Sequence, residues 1–273
     1  MITYKKDTNK SYDETIKHIL RSHNAQFWNS ANSKDINLYA FNGKELVGAI
    51  EANYFWDWVS IEKVFYHSID ILKQMIERVW YEYQNQAVSM AYFTTVTSRC
   101  NDFLEVGFVL ENQVELDENT IYYYTHYNNL NAFEQGNLSI MFSEEKNTEY
   151  HDILDQQHHL YNEKHRVEDV SDVFDIAVFD QDAYIGGMQS NRYGSVLYID
   201  RLAVDIKYRH QQIGTTLMNY AIDEARSLGL SYVMLGTTSF QAKAFYEKLG
   251  FQVVNKKDNV PRGYQSYSMS LKL

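Results

Sequence analysis

The sequence predicts an α/β fold made of two similar halves, because segments of the 273-residue chain repeat and the predicted elements follow one order in both halves. TTVTSRCNDFLEVGF, which starts at Thr94, matches TTSFQAKAFYEKLGF, which starts at Thr237, at an offset of 143. WVSIEKVFY from Trp58 matches VLYIDRLAV from Val196 at an offset of 138. The length suits two domains of ordinary size.

Each half is predicted to run helix, hairpin, strand, helix, strand, short helix and paired strands. The first helices are SYDETIKHILRSHNAQF and NTEYHDILDQQHHLYNEKH. The hairpins are INLYAF-NGKE-LVGAI and VFDIAVF-DQD-AYIGGM, in which Asn42-Gly43 is a strong turn signal. A third strand is predicted at residues 57–66 and again at 195–204.

An amphipathic helix is predicted after the third strand of each half. Apolar residues recur at helical spacing from Ile69 to Tyr83 and from Ile213 to Leu228. The segment HYNNLNAFEQGN reads as a linker between the halves. We therefore expect one domain at residues 1–130 and a second at 137–273.

Composition excludes several classes of protein. The lone cysteine, Cys100, excludes an internal disulfide and a Cys-rich metal site. No apolar stretch approaches the roughly 20 residues of a membrane helix, and the opening MITYKKDTNK lacks a signal-peptide core, so we expect a cytoplasmic protein. With 36 acidic and 25 basic residues, the net charge of −11 argues against nucleic acid and suits a neutral or cationic small partner.

The two offsets differ, so half two carries five extra residues between Val204 and Met218. This polar insertion leads directly into the helix that contains Gly214, where a missing Cβ lets a ligand approach the backbone. The unpaired N–H groups of the first helical turn and the helix dipole form an anion site. A pyrophosphate is its natural occupant, and Arg209 can add a charged contact.

The segments LAVDIKYRHQQIGTTL and AFYEKLGF together resemble the GNAT superfamily of acetyl-CoA-dependent N-acetyltransferases. The family's loop pattern, Arg/Gln-x-x-Gly-x-Gly/Ala, maps onto Arg209 to Gly214, with Gln212 in place of the first glycine and Ile206 where proline is common. The resemblance covers residues 137–273. It implies two GNAT-like domains, each a mixed, mostly antiparallel sheet flanked by helices, with a splayed central strand pair.

The resemblance implies acetyl-CoA as co-substrate and no metal. The pantetheine arm would pair with free backbone at the splay, and the pyrophosphate would rest on the loop amides. Ser239 stands where the family often has an Asn that contacts the arm. The implied cofactor residues are Leu202, Ala203, Val204, Arg209, His210, Gln211, Gln212, Ile213, Gly214, Thr215, Ser239 and Tyr246.

Tyr246 occupies the family's general-acid position, where its phenol would protonate the leaving thiolate. Simple packing is the alternative, because the chain contains 23 tyrosines. The general base stays open between Asp200 and Tyr198, which alternate on the strand that leads to the cleft. The helix predicted near 148–165 borders the acceptor pocket in the family, so its histidines either line that pocket or are ordinary surface residues.

Half one is expected to keep the fold without the cofactor site. Phe103 aligns with Tyr246 and has no hydroxyl, and the strand ending at Tyr66 enters its helix through His67-Ser68 without a glycine. The expected activity is acetyl transfer to a primary amine of a small molecule or peptide. Acyl-CoA binding without turnover is the alternative, and a homodimer is left open.

Overall fold

The computed structural model describes residues 1–7, 9–27, 33–83, 85, 87, 89–94, 97–116, 119–127, 136–164 and 174–273. The chain forms two compact units. Unit 1 consists of Met1–Ser30 and Glu168–Leu273, and unit 2 consists of Ala31–Val167. Most of the segment expected to link the halves, and His165 of the second predicted helix, lie outside the described residues.

The helices and strands follow the order expected for a repeated fold. The strands are β1 (Ile2–Lys6), β2 (Lys34–Asn42), β3 (Glu45–Phe55), β4 (Trp58–Tyr66), β5 (Ser89–Thr94), β6 (Val109–Leu116), β7 (Asn119–Tyr127), β8 (Ser139–Ser143), β9 (Ile176–Asp180), β10 (Ala183–Tyr193), β11 (Val196–Val204), β12 (Tyr232–Thr238), β13 (Gln252–Asp258) and β14 (Gln265–Lys272). The helices are α1 (Asp13–Asn24), α2 (Ile69–Tyr83), α3 (Thr97–Glu105), α4 (Thr148–Lys164), α5 (Ile213–Ser227) and α6 (Lys243–Lys248).

The two units exchange their first strand and helix, so they differ from the linear domains expected at 1–130 and 137–273. β1, from the start of the chain, pairs antiparallel with β9, and α1 packs on β10 and β11 in unit 1. β8 pairs with β2, and α4 packs on β3 and β4 in unit 2. The cause is backbone pairing, since each sheet gains an edge strand from the other half of the sequence.

The sheet of unit 1 has the strand order β1-β9-β10-β11-β12-β14-β13. All neighbouring strands are antiparallel except β11 and β12. The apolar face of α5 packs on one side of the sheet, where Leu217 and Met218 join Leu197 and Ile199 in the core. On the other face, Tyr12 beside α1 stacks on Tyr184 at 4.8 Å. This confirms the mixed, mostly antiparallel sheet with flanking helices.

The central strands of unit 1 separate before they end. β11 and β12 pair only from Val196↔Tyr232 to Ile199↔Leu235. The bulge in β11 lies at the same place, because Gln189 pairs with Arg201 while Ser190 pairs with Ile199, which leaves Asp200 as the extra residue. Beyond it, the edge of β11 that faces β12 pairs with no strand among the described residues, and a cleft lies between the two strand ends.

Unit 2 repeats this architecture in the order β6-β7-β5-β4-β3-β2-β8. Its parallel pair is short as well, with Trp58 to Ser60 of β4 opposite residues 89–91 of β5. Its bulge falls at Glu62, the repeat counterpart of Asp200. Phe103 is fully buried and stacks on Tyr92 at 4.0 Å, so the counterpart of Tyr246 is a core residue here.

Each exchanged helix is tied to its sheet by an equivalent ion pair. Asp13 of α1 lies 3.4 Å from Arg201, the residue after the bulge in β11. Asp155 of α4 lies 2.6 Å from Lys63, the residue after the bulge in β4. Lys63 and Arg201 are aligned in the repeat, so both units anchor the exchanged helix at the same point of the sheet. No helix among the described residues has the length and hydropathy of a membrane-spanning segment.

Candidate active site

The insertion that separates β11 from α5 forms a compact loop. Asp205 starts it, and its side chain accepts a 2.9 Å hydrogen bond from the Lys207 N–H at the head of a single 3-10 turn. His210 and Gln212 then adopt left-handed backbone conformations, with φ of 64° and 62°. Left-handed residues that alternate with ordinary ones aim successive N–H groups into one concavity, which is the geometry of an anion nest.

The N–H groups of this loop remain available. The first backbone bond into α5 is from Thr216 N–H to Gln212 O at 2.9 Å. Within the described residues, the N–H groups of 210–215 donate no hydrogen bond to the protein. Gly214 has room beside it, since an added Cβ would meet only the Phe245 ring, at 3.5 Å. These amides and the N-terminus of the 15-residue helix α5 fit a pyrophosphate.

Arg209 is engaged by the protein itself. Its Nε donates to Val204 O at 3.2 Å, and its guanidinium lies 3.2 Å from Nδ1 of His23 on α1. Arg209 therefore braces the end of β11 against α1, and its charge lies beside the loop. The charged contact with a pyrophosphate that the sequence predicts for Arg209 stays a prediction.

The edge of β11 expected to receive the pantetheine arm is unpaired on the β12 side. Leu202, Ala203 and Val204 pair with β10 through their other edge. Val204 O accepts the hydrogen bond from Arg209 and keeps a second lone pair. Ser239 lies just beyond the end of β12, where its Oγ accepts a 3.1 Å bond from Gln265 N–H and its own hydroxyl hydrogen stays free to donate.

Tyr246 lies on α6 and is buried in the core of unit 1. Its ring meets Phe245 at 5.0 Å and Phe251 at 5.9 Å, both edge to face. Burial raises the pKa of the phenol well above its ordinary value, so it stays protonated at neutral pH. No hydrogen bond among the described residues uses this hydroxyl. The group can therefore donate a proton, and its ring position is fixed by packing.

Asp200, at the bulge of β11, is accessible to solvent and accepts a hydrogen bond from the Asn191 side chain. The surrounding protein partly desolvates the carboxylate and raises its pKa to about 6, against the lowering effect of the Arg201 and Lys10 charges. A carboxylate with a pKa near neutrality is suited to accept a proton from an ammonium group through water.

Tyr198 points across the start of the cleft. Its hydroxyl lies 3.3 Å from where a Cβ would stand on Gly236 of β12. Tyr198 and Asp200 project from the face of the sheet that carries α1, because Leu197 and Ile199 fill the opposite, α5 face. Tyr246 belongs to that α5 core. The acid candidate and the base candidates thus lie on opposite faces, with the cleft between them.

The end of α1 contributes residues that sequence reasoning missed. Asn24 is buried and accepts a 3.2 Å hydrogen bond from Gln241, in the loop between β12 and α6. Phe27 stacks on Phe240 of the same loop at 5.3 Å. No signal in the sequence assigns α1 to the second half, because the repeat itself suggests that each half keeps its own first helix.

The helix expected to border the acceptor pocket, α4, packs on β3 and β4 of unit 2 instead. His151 there lies 3.3 Å from Glu51 and 3.4 Å from Asp155, a grouping that has the atoms for a metal site. Lys63 fills it, with its ammonium 2.6 Å from Asp155 and 3.5 Å from Glu51. The Lys63 ammonium already balances the charges of Glu51 and Asp155, so these side chains and His151 form an ion-pair network.

Comparison with known proteins shows that part of the chain is similar to one family. Residues 138–251 match the family model described as acetyltransferase (GNAT) family. The match starts at β8 and α4, which belong to unit 2, and continues through the loop and α6 of unit 1. No curated protein shows significant sequence similarity to the chain.

Several solved structures resemble the chain at low TM-scores. An acetyltransferase from Bacillus cereus is 24% identical, with a TM-score of 0.44, and the alignment covers 48% of this chain and 96% of that one. An aminoglycoside 6′-N-acetyltransferase complexed with coenzyme A is 25% identical, with a TM-score of 0.33 and coverage of 37% and 72%. The PaiA N-acetyltransferase of Thermoplasma acidophilum, in complex with coenzyme A, is 19% identical, with a TM-score of 0.33 and coverage of 47% and 80%.

Proposed function

We propose that unit 1 transfers an acetyl group from acetyl-CoA to a primary amine, because residues 138–251 match the model of the GNAT acetyltransferase family. The observation that carries this proposal is the loop at 205–212. It makes the connection between strand and helix longer in unit 1 than in unit 2, and among the described residues it leaves the N–H groups of 210–215 without a protein acceptor at the N-terminus of α5. In unit 2, only His67 and Ser68 connect the corresponding strand and helix.

Acetyl-CoA would bind by its pyrophosphate to the amides of 210–215 and by its pantetheine arm to the free edge of β11. An arm that bears amides can pair with a strand edge as an added strand does, and this pairing fixes the direction of the thioester. The arm would then pass between the ends of β11 and β12. The acetyl group, when bound there, would lie between the two faces of the sheet.

In the proposed reaction, the neutral amine attacks the thioester carbonyl carbon, a C–N bond forms, and the C–S bond breaks. Asp200 accepts the proton that the ammonium form of the acceptor must lose, directly or through water, and Tyr198 is the second candidate for this role. Tyr246 donates its phenolic proton to the departing sulfur. The attacking nitrogen, which becomes cationic as the C–N bond forms, loses its remaining extra proton to water, and the Tyr246 phenolate is reprotonated from water. The carbonyl oxygen is stabilised by backbone N–H groups at the splayed edge of β11.

The acceptor is expected to be small or a peptide, and neutral or cationic. Asp200 lies on the open α1 face with Tyr193 and Tyr198, whose rings meet edge to face at 6.4 Å. A carboxylate beside tyrosine rings favours an ammonium group. Polyamines, aminoglycosides, amino acids and protein N-termini all share this group.

The proposal is tested by incubating the chain with acetyl-CoA and a panel of these amines and measuring release of free thiol. Amine-dependent release that disappears in Gly214→Glu supports transfer in unit 1, because the new carboxylate adds bulk and repulsion beside the loop amides. Tight acetyl-CoA binding without release for any amine would contradict transfer and would favour the alternative, an acyl-CoA-binding module without turnover.

A further inference from the structure

The end of α1 reaches both strands that separate at the cleft of unit 1. His23 and Asn24 are adjacent, and each contacts a different loop. His23 faces Arg209, in the loop after β11. Asn24 contacts Gln241, in the loop after β12. One turn of helix therefore spans the cleft between the two strand ends.

Each contact is relayed by a single side chain to the last residue of a strand. On one side, Arg209 joins Nδ1 of His23 to Val204 O, where its own bond is 3.2 Å. On the other side, Gln241 donates to Asn24 Oδ1 at 3.2 Å and accepts from Thr238 N–H at 3.1 Å. Val204 ends β11 and Thr238 ends β12.

Both relays depend on an acceptor atom supplied by α1. The Arg209 guanidinium can only donate, so Nδ1 of His23 must carry the lone pair, which the Gln26 side-chain amide also approaches, at 3.1 Å. Burial, and then the charge of Arg209, lower the pKa of His23, which keeps the ring neutral and the lone pair available. Asn24 is buried, so losing its acceptor would leave the Gln241 amide without that partner.

We propose that His23 and Asn24 are positioning residues, which hold the ends of β11 and β12 at the separation that the cofactor arm requires. The inference rests on the proposed binding of the arm in the cleft. If the inference holds, α1 contributes to cofactor binding in unit 1, although α1 lies outside the segment 138–251 that matches the family model. Neither residue touches the reacting atoms in this account, because each acts through Arg209 or Gln241.

The test separates binding of the arm from binding of the nucleotide. The affinities of the full-length chain for acetyl-CoA and for phosphoadenosine diphosphate, the nucleotide portion of coenzyme A without the arm, are measured by calorimetry. Asn24→Leu keeps the size of the side chain and removes the acceptor. We expect it to weaken acetyl-CoA binding about tenfold, the scale of one lost hydrogen bond, and to leave nucleotide binding unchanged.

Four further variants complete the design. Asn24→Asp retains the acceptor oxygen and should restore acetyl-CoA affinity. Gln241→Leu should weaken acetyl-CoA binding as Asn24→Leu does, and the double variant should be no weaker than either single one, since both break the same relay. Arg21→Ala, an exposed site on the same helix, should change nothing. If Asn24→Leu does not fold, Gln241→Leu makes the same test from the loop.

We call His23 and Asn24, with Arg209 and Gln241, the clamp; two results would overturn the proposal that it holds the ends of β11 and β12. Equal weakening of both ligands would indicate general damage to the unit, and unchanged acetyl-CoA affinity in Asn24→Leu and Gln241→Leu would show that the relay does not set the cleft. A wild-type chain that binds acetyl-CoA but releases no thiol with any amine contradicts the proposed transfer alone. If the wild type transfers acetyl groups but Asn24→Leu and Gln241→Leu bind acetyl-CoA as tightly as it does, the clamp is contradicted and the proposed transfer is not.

Discussion

The hydroxyl of Tyr246 can be removed without changing the packing of its ring, which touches Phe245 and Phe251. If the phenol protonates the leaving thiolate, Tyr246→Phe should lower kcat by roughly 10²-fold, the usual range for a general acid. Acetyl-CoA affinity should not change, because the loop amides lie elsewhere. A turnover number near that of the wild type, with chemistry shown to be rate-limiting, would leave Tyr246 a packing residue only.

Asp200 gives the reaction a pH dependence whose direction can be worked out. Its pKa of about 6 means that the carboxylate form needed for a base fills as pH rises through 6, so kcat/KM should rise there and then level off. Asp200→Asn should lower kcat/KM and abolish its rise with pH near 6. Asn191→Ala removes a hydrogen bond that lowers the pKa, so the midpoint should move to higher pH.

The same raised pKa has an opposite consequence for stability. Ionised Asp200 opposes folding above its ordinary pKa of 3.8, progressively up to about 6. Asp200→Asn should therefore unfold at a higher denaturant concentration than the wild type at pH 7, while it loses activity. If kcat/KM of Asp200→Asn still rose with pH through 6, Asp200 would not be the general base, and Tyr198 would be the remaining candidate.

The left-handed backbone of Gln212 is a conformation that glycine, the residue of the family pattern that the loop resembles, adopts without strain. Its φ of 62° is costly for any residue with a Cβ, by about 1–2 kcal/mol, and glycine avoids this cost. We expect Gln212→Gly to stabilise the chain by about 0.5–1 kcal/mol in denaturant unfolding and to leave acetyl-CoA affinity intact. Gln211→Gly is the matched control, since Gln211 is not left-handed, and it should be destabilising. Equal effects of the two variants would argue against the left-handed geometry.

At the scale of elements, the sequence predicts most of the structure. Hydrophobic spacing places α2, α5 and the hairpins within a few residues, and Asn42-Gly43 forms the expected turn, with Gly43 at a φ of 63°. The repeat offsets place the insertion between Val204 and Met218, and the structure has the loop at 205–212. These features are local, because helices and turns are determined by residues that are close together in the sequence.

The exchange of β1-α1 with β8-α4 could not be predicted from the sequence. The two edge strands fit either sheet in principle, since backbone pairing is the same for any sequence. The choice depends on contacts between residues far apart in the chain, such as Asp13 with Arg201 and Asp155 with Lys63. The sequence left open whether the histidines of the helix at 148–165 line the acceptor pocket, whereas in the structure α4 packs on β3 and β4 of unit 2.

Substitutions in the exchanged helices test the exchange itself. Ile16 of α1 and Leu154 of α4 are both 1% exposed. Ile16→Ala should cost about 2–5 kcal/mol and speed amide hydrogen exchange in β10 and β11 of unit 1. Leu154→Ala should do the same in β2 and β3 of unit 2, where it packs with Tyr39 and Ala49. Faster exchange in β2 and β3 on Ile16→Ala would restore the linear division at 1–130 and 137–273.

At the scale of the whole molecule, the chain combines two copies of one fold with one proposed site. Unit 1 has the loop, the free N–H groups and the hydroxyl of Tyr246. Unit 2 has a short connection through His67 and Ser68 and a buried Phe103 in place of that tyrosine. The −11 net charge gives the molecule a field that attracts cations, which agrees with an amine acceptor and disfavours nucleic acid.

The central claim, a single acetyl-CoA site in unit 1, is tested most directly by calorimetric titration of the full chain with acetyl-CoA. The account predicts one site per chain, and no binding in folded Gly214→Glu. Two equivalent sites per chain, or full affinity retained in Gly214→Glu, would contradict it, because either result would place the cofactor away from the loop that distinguishes the two halves.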